Sequence, residues 1–499
     1  MTQVGGYVVL GISLAYFAMT IAVALYARRK GEAKTLKDFA LTESGFGAFI
    51  LLMILYGNQY SGNTLVAYPG NAYRLGFTWL VSVAFMMSII VVYLLFVPRL
   101  HVLSKIRGYI TPSDYLIDRY NSKAVAIAAA AFLVYGLFNY LWENFTASGW
   151  LFKGSTFGLV PYDLGVLLVV GVSAVYVIIG GVRGQAWITV VQSLMMIIGL
   201  FIILASVLSV YGFPVGKIQE VYPAALQVPP PGRISWWFSL LILVGFGAAC
   251  YPHAIQMVYA AKDSEALRKA LTRMVWLPLI TTFFVWIIGM DCIVAKPGIP
   301  RGVAADEIFP LVASDFMKLS PFHLASISFF LITAALAGIM STIDSVFISL
   351  GSMISKDFYA KLSRRAPSDF RLMRVAQVSI LLLLPLLFLL AQVPRAILFR
   401  LTEIKFEVMV QAAPAIMLGL YWKRLHKVPV LIGMFAGGAT AMAITWSVGA
   451  WAWAGGVHSG IWGLLINTIV CIVLSYIIKP KAEDAKKAEE LLGIFSRTP

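Results

Sequence analysis

Two polar segments interrupt apolar stretches of this chain, and their side chains are of the kind that binds ions and small solutes. The first is LYGNQYSGNTLVAYPG, residues 55–70, which follows the apolar run GFGAFILLMI. Amide and hydroxyl side chains are concentrated in its middle, and glycines flank them. Because glycine tolerates many backbone conformations, the chain can leave a helical path there. Backbone oxygens bared by such a break, together with these side chains, are suited to hold a monovalent cation or a polar solute.

The second segment is AALAGIMSTIDS, residues 334–345. Gly338, Ser341 and Thr342 fall at i, i+3 and i+4, which places them on one face of a helix. Two hydroxyls and a carbonyl on that face, completed by carbonyls of a broken helix, provide the neutral oxygens that a sodium ion needs in a dry site. The alternative is that both hydroxyls bond back to their own helix.

The elements that carry these segments are membrane helices. The 499 residues are 60% hydrophobic and only 12% charged, whereas a soluble chain is about half apolar and about a quarter charged. A membrane span needs about 20 mostly apolar residues, and we identify thirteen candidates. They lie near 5–27, 46–73, 77–98, 124–149, 158–181, 186–212, 235–259, 274–295, 322–352, 373–393, 397–422, 427–452 and 457–478.

The distribution of basic residues predicts the orientation in the membrane. An odd number of spans puts the two termini on opposite sides. With the N-terminus outside, the inner side holds 29 of the 39 Lys and Arg residues. Cytoplasmic loops are rich in Lys and Arg, so we predict N-out, C-in. The net charge of +16 then faces anionic inner-leaflet lipid, and no nucleic-acid partner is needed to explain it.

Two of the candidate spans contain breaks, and these spans are five apart. The second breaks at Gly57–Gly62, and the seventh breaks in VGFGAACYPH, at Gly245, Gly247, Pro252 and His253. This spacing is expected of two five-helix units related by inversion. The predicted organisation is an extra N-terminal helix and loop (1–45), two repeats (46–212 and 213–422), two further helices (423–480) and a cytoplasmic tail (481–499).

Five segments, in order, resemble the sodium/solute symporter family, which includes sodium-coupled carriers for sugars, proline, pantothenate and monocarboxylates. They are YSGNTLVAYPGNAYRLG, GGVRGQAWITVVQ, YPHAIQMVYAAKDS, GIMSTIDS with the following KDFY, and LGLYWKR. The resemblance implies an all-α polytopic membrane protein of about thirteen helices. Its core would be of the leucine-transporter type, with two inverted five-helix repeats. It also implies sodium-coupled symport by alternating access.

Carried over residue by residue, the resemblance implies a sodium site on both polar segments. The backbone carbonyls of Gly57 and Tyr60 match the ligands from the broken helix. The carbonyl of Gly338 and the hydroxyls of Ser341 and Thr342 match the remainder.

Two departures from the family pattern leave the coupling ion open. Many members have an acid where this chain has Gln59, and many have Asp where it has Thr189. Fewer negative charges weaken the field on a cation, so lower sodium affinity or proton coupling is an alternative. Asp344 compensates only in part, because i+2 from Thr342 lies off the site face.

The solute is expected near the membrane midplane, between the two breaks. The candidate lining residues are Gln59, Asn63, Thr64, Cys250, Tyr251 and His253, and for His253 a structural role is the alternative. GNQYSGNT is most similar to the branch that carries monocarboxylates, and pantothenate-type carriers share MST-D-S. We therefore expect a small carboxylate-bearing solute: a monocarboxylate, an amino acid or a pantothenate-like compound.

Charged residues inside apolar runs form a further group of candidates. Glu143 is an intramembrane acid, which is functional by default, unless it lies near the outer surface. We expect the run Arg395, Arg400, Glu403, Lys405 and Glu407 to form ion pairs at the outer gate. An anion-attracting vestibule is the alternative for this run.

These features favour a multi-pass transporter of the bacterial plasma membrane, with a small solute, sodium and membrane lipid as partners. The alternative from another class is a transporter-like membrane sensor that acts through a separate partner. An enzyme is disfavoured because the five His residues are scattered and no HExxH or GxSxG motif occurs.

Overall fold

The structure is a computed structural model that describes residues 2–29, 34–41, 45–213, 215–227, 229, 231–297, 305–393, 398–447 and 456–497. Within these ranges the regular elements are helices, and the single β-type contact is an isolated bridge between Phe46 and Ala261.

The described residues up to 213 form eight α-helices, joined in two places by tighter or wider turns. A π-helical turn, Asn63–Ala67, lies between the third and fourth helices, and a 3-10 turn, Gly76–Leu80, precedes the fifth. The helices are α1 (Thr2–Arg29), α2 (Leu36–Ala40), α3 (Ala48–Gln59), α4 (Tyr68–Leu75), α5 (Val81–Arg107), α6 (Pro112–Tyr120), α7 (Lys123–Ser155) and α8 (Tyr162–Tyr211).

The rest of the described chain adds fourteen α-helices and four short turns. The helices are α9 (Val215–Val221), α10 (Pro231–Ala249), α11 (Pro252–Tyr259), α12 (Ser264–Met274), α13 (Trp276–Ala295), α14 (Ala305–Met317), α15 (Pro321–Met353), α16 (Ala360–Leu362), α17 (Asp369–Ala391), α18 (Leu398–Met409), α19 (Ala413–Met417), α20 (Lys427–Ser447), α21 (Ser459–Ile477) and α22 (Ala482–Arg497). The turns are Pro223–Leu226, Ile354–Tyr359, Val410–Ala412 and Leu418–Leu420.

The all-α polytopic fold predicted from the sequence is confirmed, whereas the number of thirteen spans stays a prediction. In the described part of the chain nine helices are long and apolar enough to cross a bilayer, or ten if the bent pair α10–α11 is one span. The count is lower because α8 covers two predicted spans and because α3 and α18 have only 12 residues each. The predicted domain boundaries and orientation also stay predictions.

A glycine marks the point where α8 passes from one predicted span to the next. Gly181 has φ 53° and ψ −157° inside the helix, a backbone conformation that favours glycine. The predicted spans 158–181 and 186–212 therefore correspond to two helices that meet at Gly181, and α8 is not one straight span.

Helix α15 lies at the centre of the bundle. Its membrane-spanning window is buried throughout, whereas only a third of the corresponding windows of α1 and α17 is buried. It packs against α8, α7, α17, α1 and α3. A Cβ atom on Gly338 would lie 2.6 Å from Leu65 Cδ1, and one on Gly351 would lie 2.8 Å from the carbonyl oxygen of Ala376. Small residues therefore allow the close approach of neighbouring helices.

The C-terminal helix α22 packs against α6. Its Asp484 carboxylate lies 3.0 Å from Lys427 Nζ, and Ala488 and Leu491 are buried. Glu490 Oε1 lies 2.6 Å from Arg107 Nη2, and the hydrogen bond from this guanidinium lowers the pKa of Glu490. The predicted tail is thus a helix that packs on the rest of the bundle through its apolar side.

A comparison of two glycines tests how the turn Pro223–Leu226 packs against the 3-10 turn Gly76–Leu80. Gly76 has φ 55° and ψ −130°, and a Cβ there would lie 2.0 Å from the carbonyl oxygen of Ala225. Gly108 has φ 70° and ψ 39° with no atom near the added Cβ. We expect Gly108→Ala to cost about 1 kcal/mol of stability. Gly76→Ala should cost about 3 kcal/mol or more, because the overlap is with backbone. Thermal unfolding of the purified protein in detergent measures both, and equal shifts would contradict the packing.

Candidate functional site

The second predicted span is broken, as the sequence indicated, but the break is shorter than predicted. Helix α3 continues through Gly57 to Gln59, and Tyr60 is extended with φ −97° and ψ 110°. The helical path resumes at Gly62 and widens into the π-helical turn. The bared groups find partners on α7: the Gly62 N–H donates to Asn144 Oδ1 at 3.0 Å, and the Tyr140 hydroxyl donates to the Asn58 carbonyl at 3.3 Å.

The predicted ion ligands from the two polar segments lie together in the structure. Ser341 Oγ is 3.0 Å from the Gly57 carbonyl oxygen and 3.2 Å from that of Gly338. Thr342 Oγ1 is 3.4 Å from the Tyr60 carbonyl oxygen. Both hydroxyls are fully buried, and each retains lone pairs after donating a hydrogen bond. Ser341 thus lies against the carbonyls of Gly57 and Gly338, and Thr342 lies against that of Tyr60, so neutral oxygens of the kind that fits a sodium ion come from both segments in a buried interior.

The residues beside this oxygen cluster are amides and hydroxyls. Ser345 Oγ lies 2.5 Å from both Asn58 Oδ1 and Gln185 Nε2. Asp344, in contrast, faces α8, where its Oδ2 accepts a hydrogen bond from the Tyr176 hydroxyl. Asp344 therefore lies off the face that carries Ser341 and Thr342, as its position in the sequence predicted.

The seventh predicted span is also broken, but at a different point from the glycines. Helix α10 runs to Ala249, Tyr251 has φ −54° and ψ 118°, and α11 begins at Pro252 with a bend of 50°. Gly245 and Gly247 lie inside α10. A Cβ on Gly245 would lie 2.7 Å from Ser88 Oγ, and one on Gly247 would lie 2.8 Å from Phe406 Cδ1. These glycines serve helix packing, so their predicted part in the break is corrected.

A small cavity lies between the two breaks and brings together part of the predicted solute site. Of the six candidates, Gln59, Asn63, Thr64 and Tyr251 line it. Cys250 and His253 are buried but are not among the described residues that line it. The His253 ring packs instead against Tyr251 and Tyr140, with ring centroids 4.7 and 5.9 Å apart. The cavity volume is about 20 Å³, so a solute requires the surrounding helices to move apart.

The sequence did not assign a buried ion pair to this cavity, although both of its members line it. Lys405 Nζ lies 2.8 Å from Glu143 Oε2, and the two side chains are 2% and 0% exposed. Thr402 Oγ1 donates to the same carboxylate oxygen at 2.7 Å and accepts from Asn63 Nδ2 at 2.6 Å. The signal for Glu143 was an acid in an apolar run, but nothing local to the sequence pairs it with a lysine of α18.

The other charged residues near the start of α18 form a separate cluster. Arg400 Nη1 lies 3.0 Å from Glu403 Oε2 and 3.4 Å from Glu407 Oε1. His458 Nε2 lies 3.1 Å from Glu403 Oε1. The expected ion pairs are therefore present, except that Lys405 turns to the cavity. Arg395 lies outside the described residues.

Comparison with known proteins assigns this architecture to a family. The sequence profile described as "SSF: Sodium:solute symporter family" matches residues 39–437. The chain belongs to the sodium:solute symporter family. It is accordingly a sodium-coupled symporter of a small solute and a multi-pass protein of the plasma membrane, with Na⁺ as its coupling ion.

Individual relatives cover nearly the whole symporter. The osmoregulated proline transporter OpuE of Bacillus subtilis (strain 168) is 27% identical over 97% of this chain and 96% of its own length. The sodium/pantothenate symporter of Escherichia coli (strain K12) is 27% identical over 85% of this chain and 88% of its own. The structure of a Na⁺-coupled sialic acid symporter, in a substrate-bound outward-open state, has a TM-score of 0.76 at 19% identity. That match covers 95% of this chain and 98% of the other, and shows the shared fold.

Two asparagines of α7 test the support of the first break. Asn144 and Asn139 are both buried, and the Nδ2 of each donates to the carbonyl four residues earlier. Asn144 also accepts from the Gly62 N–H. Asn144→Ala leaves this N–H buried without a partner and should cost about 1–3 kcal/mol, with a matching loss of sodium-dependent uptake. Asn139→Ala is the control. Melting temperature and uptake in proteoliposomes measure both variants, and equal effects would contradict the proposed support.

Proposed function

We propose that this symporter binds its sodium ion at the carbonyls of Gly57, Tyr60 and Gly338 and the hydroxyls of Ser341 and Thr342. The support is that Ser341 lies against the Gly57 carbonyl and Thr342 against the Tyr60 carbonyl, across 284 and 282 positions of sequence, at the break in a buried bundle interior. All five oxygens are neutral. Neutral ligands suit a monovalent cation that must also be released, because they bind it less tightly than carboxylates would.

The same arrangement supports a mechanism of alternating access. An ion held between α3 and α15 ties the two helices together and favours the conformation in which both segments are in contact. The solute then binds at the neighbouring Asn63 and Thr64, and the core changes from an outward-open to an inward-open conformation. Ion and solute share one unwound segment, so each favours the geometry that the other needs.

We further propose that the solute is a small organic compound with a carboxylate. The single observation that carries this proposal is the Lys405 ammonium in the cavity wall. It is buried, it lies between the two breaks, and its one acidic partner is Glu143 among the described residues. An ammonium in such a place attracts an anionic group strongly, because the surrounding dielectric is low.

The named relatives agree with this solute class. Proline and pantothenate, from which two of the relatives take their names, each carry a carboxylate. Within the cavity we assign Gln59, Asn63, Thr64 and Tyr251 to solute contact. We assign Cys250 and His253, which flank Tyr251 at the second break, to helix packing without solute contact. We propose transport without a chemical step, no nucleic-acid partner, and contact of the basic inner side with anionic lipid.

The ion site predicts the behaviour of two hydroxyl variants. Ser341→Ala and Thr342→Ala each remove one of five ligands, and each should raise the sodium concentration for half-maximal uptake about tenfold. Ser349→Ala is the control, because Ser349 is buried on the same helix without lying at the break. Sodium titration of uptake in proteoliposomes measures the effect. The assignment is wrong if both variants keep the sodium dependence of the unmodified protein.

The solute site predicts the behaviour of a lysine variant. Lys405→Gln removes the ammonium and should weaken the binding of carboxylate solutes at least 30-fold, since charge-assisted hydrogen bonds are worth about 2 kcal/mol or more. Lys427→Gln is the control, because Lys427 pairs with Asp484 on the C-terminal helix. The measurement is counterflow of labelled carboxylates, amino acids and sugars. A solute without a carboxylate that is carried equally by Lys405→Gln and the unmodified protein would contradict the proposal.

A further inference from the structure

The cavity between the two breaks is lined by hydrogen-bond acceptors that lack donors. Glu143 Oε1 and Asn63 Oδ1 are both buried, and neither has a hydrogen-bond partner in the described part of the chain. Both residues line the cavity. Buried polar atoms are normally satisfied, so two unsatisfied acceptors on one cavity wall indicate a ligand that brings donors.

The positive charge that lines the cavity is the Lys405 ammonium, and aromatic rings surround it. We call this ammonium the positive pole of the cavity and the Glu143 carboxylate its negative pole. Lys405 Nζ lies 3.6 Å from the ring centre of Tyr140, 4.9 Å from that of Phe406 and 5.6 Å from that of Tyr251. Its carboxylate partner is Glu143 Oε2. The aromatic rings stabilise the ammonium in part, but they offer no second anion to it.

The two poles lie at the distance of a direct ion pair, and hydrogen bonds join the groups around them. Thr402 donates to Glu143 Oε2 and is itself held by Asn63 Nδ2. This arrangement fixes Oε2 toward Lys405 and leaves Oε1 as the open side of the carboxylate. A solute that approaches Lys405 therefore also approaches Glu143 Oε1.

Charge pairing distinguishes two kinds of carboxylate solute. A plain monocarboxylate that binds Lys405 competes with Glu143 for the ammonium and leaves the Glu143 charge poorly compensated in a buried site, which is costly. An α-amino or α-imino acid brings an ammonium on the carbon next to its carboxylate. Its two charges match the two poles, and its N–H groups supply donors to Glu143 Oε1 and Asn63 Oδ1.

We infer that Glu143 and Lys405 form a zwitterion site, in which Lys405 binds the carboxylate and Glu143 binds the ammonium of an amino or imino acid. This inference rests on the proposed function, because it takes the cavity between the breaks as the solute site. It narrows the three solute classes expected from the sequence to one.

The test uses the full chain in proteoliposomes, with labelled L-proline and L-alanine as probes. Each competes with its unlabelled self and with the matched acid that lacks nitrogen, cyclopentanecarboxylate and propionate respectively. The measured quantity is the ratio of the two inhibition constants, which does not depend on the amount of folded protein. For the unmodified chain we expect the amino or imino acid to compete at least tenfold better than its matched acid.

The decisive variant is Glu143→Gln, which keeps the size of the side chain and leaves the Lys405 charge without its anion. We expect the preference to reverse: amino acids lose about tenfold or more, while the matched acids gain, because they now supply the missing anion. Glu407→Gln is the control, because Glu407 is a buried acid in the separate Arg400 cluster. If Glu143→Gln does not transport, the same competition is measured as sodium-dependent binding to the protein in detergent.

The outcomes separate this inference from the proposed function. Equal competition by amino acids and matched acids, or an unchanged ratio in Glu143→Gln, overturns the zwitterion site but leaves carboxylate symport intact. Transport of labelled pantothenate with no competition by amino acids does the same. Sodium-driven uptake of sugars alone overturns both. A reversed ratio in Glu143→Gln, with the ratio preserved in Glu407→Gln, supports the assignment of the two poles.

Discussion

The break at Tyr60 and Ser61 is the constraint on which the rest of the structure depends. Backbone groups inside a membrane-spanning bundle have no water to bond, so every carbonyl and N–H bared by the break must find a partner within the protein. The hydroxyls of Ser341 and Thr342, on α15, donate to the bared carbonyls. The side chain of Asn144, on α7, accepts from the Gly62 N–H. Helix α15, which supplies two of these contacts, is buried throughout its spanning window, and its Gly338 lies against Leu65 of the π-helical turn.

The break also places the proposed ion contacts and the proposed solute contacts on one short stretch of chain. Carbonyls of residues 57 and 60 face the hydroxyls of α15, while the side chains of Asn63 and Thr64 face the cavity. Ordering of this stretch by an ion therefore helps to order the solute contacts, and the reverse is equally true by linkage. Coupling between ion and solute then needs no long pathway through the protein, because both act on the same few peptide units.

The buried pair of Glu143 and Lys405 is, after the break, the second feature that costs folding free energy, because both charges are removed from water. A buried ion pair contributes little to stability compared with apolar residues of the same size, so its position on the wall of the cavity indicates a functional use. The Arg400–Glu403–His458 cluster lies nearby along α18, yet it joins α18 to α21 and does not line the cavity. Lys405 is two residues from both Glu403 and Glu407, so opposite sides of α18 carry the charges that hold helices together and the charge that faces the proposed solute site.

The family resemblance indicated the pairing of Ser341 and Thr342 with the first break, whereas the sequence by itself determined the membrane fold, the presence of two broken helices and the shared face of Ser341 and Thr342. These follow from local properties: apolar length, the density of amides and glycines, and the i, i+3, i+4 spacing on one helix. Only the tertiary structure decided that Gly245 and Gly247 pack against neighbouring helices, that Cys250 and His253 do not line the cavity, and that Lys405 meets Glu143. Glu143 and Lys405 are 262 positions apart, and the rotation of each helix about its axis is set by the packing of all its neighbours. No local pattern in the sequence carries that information.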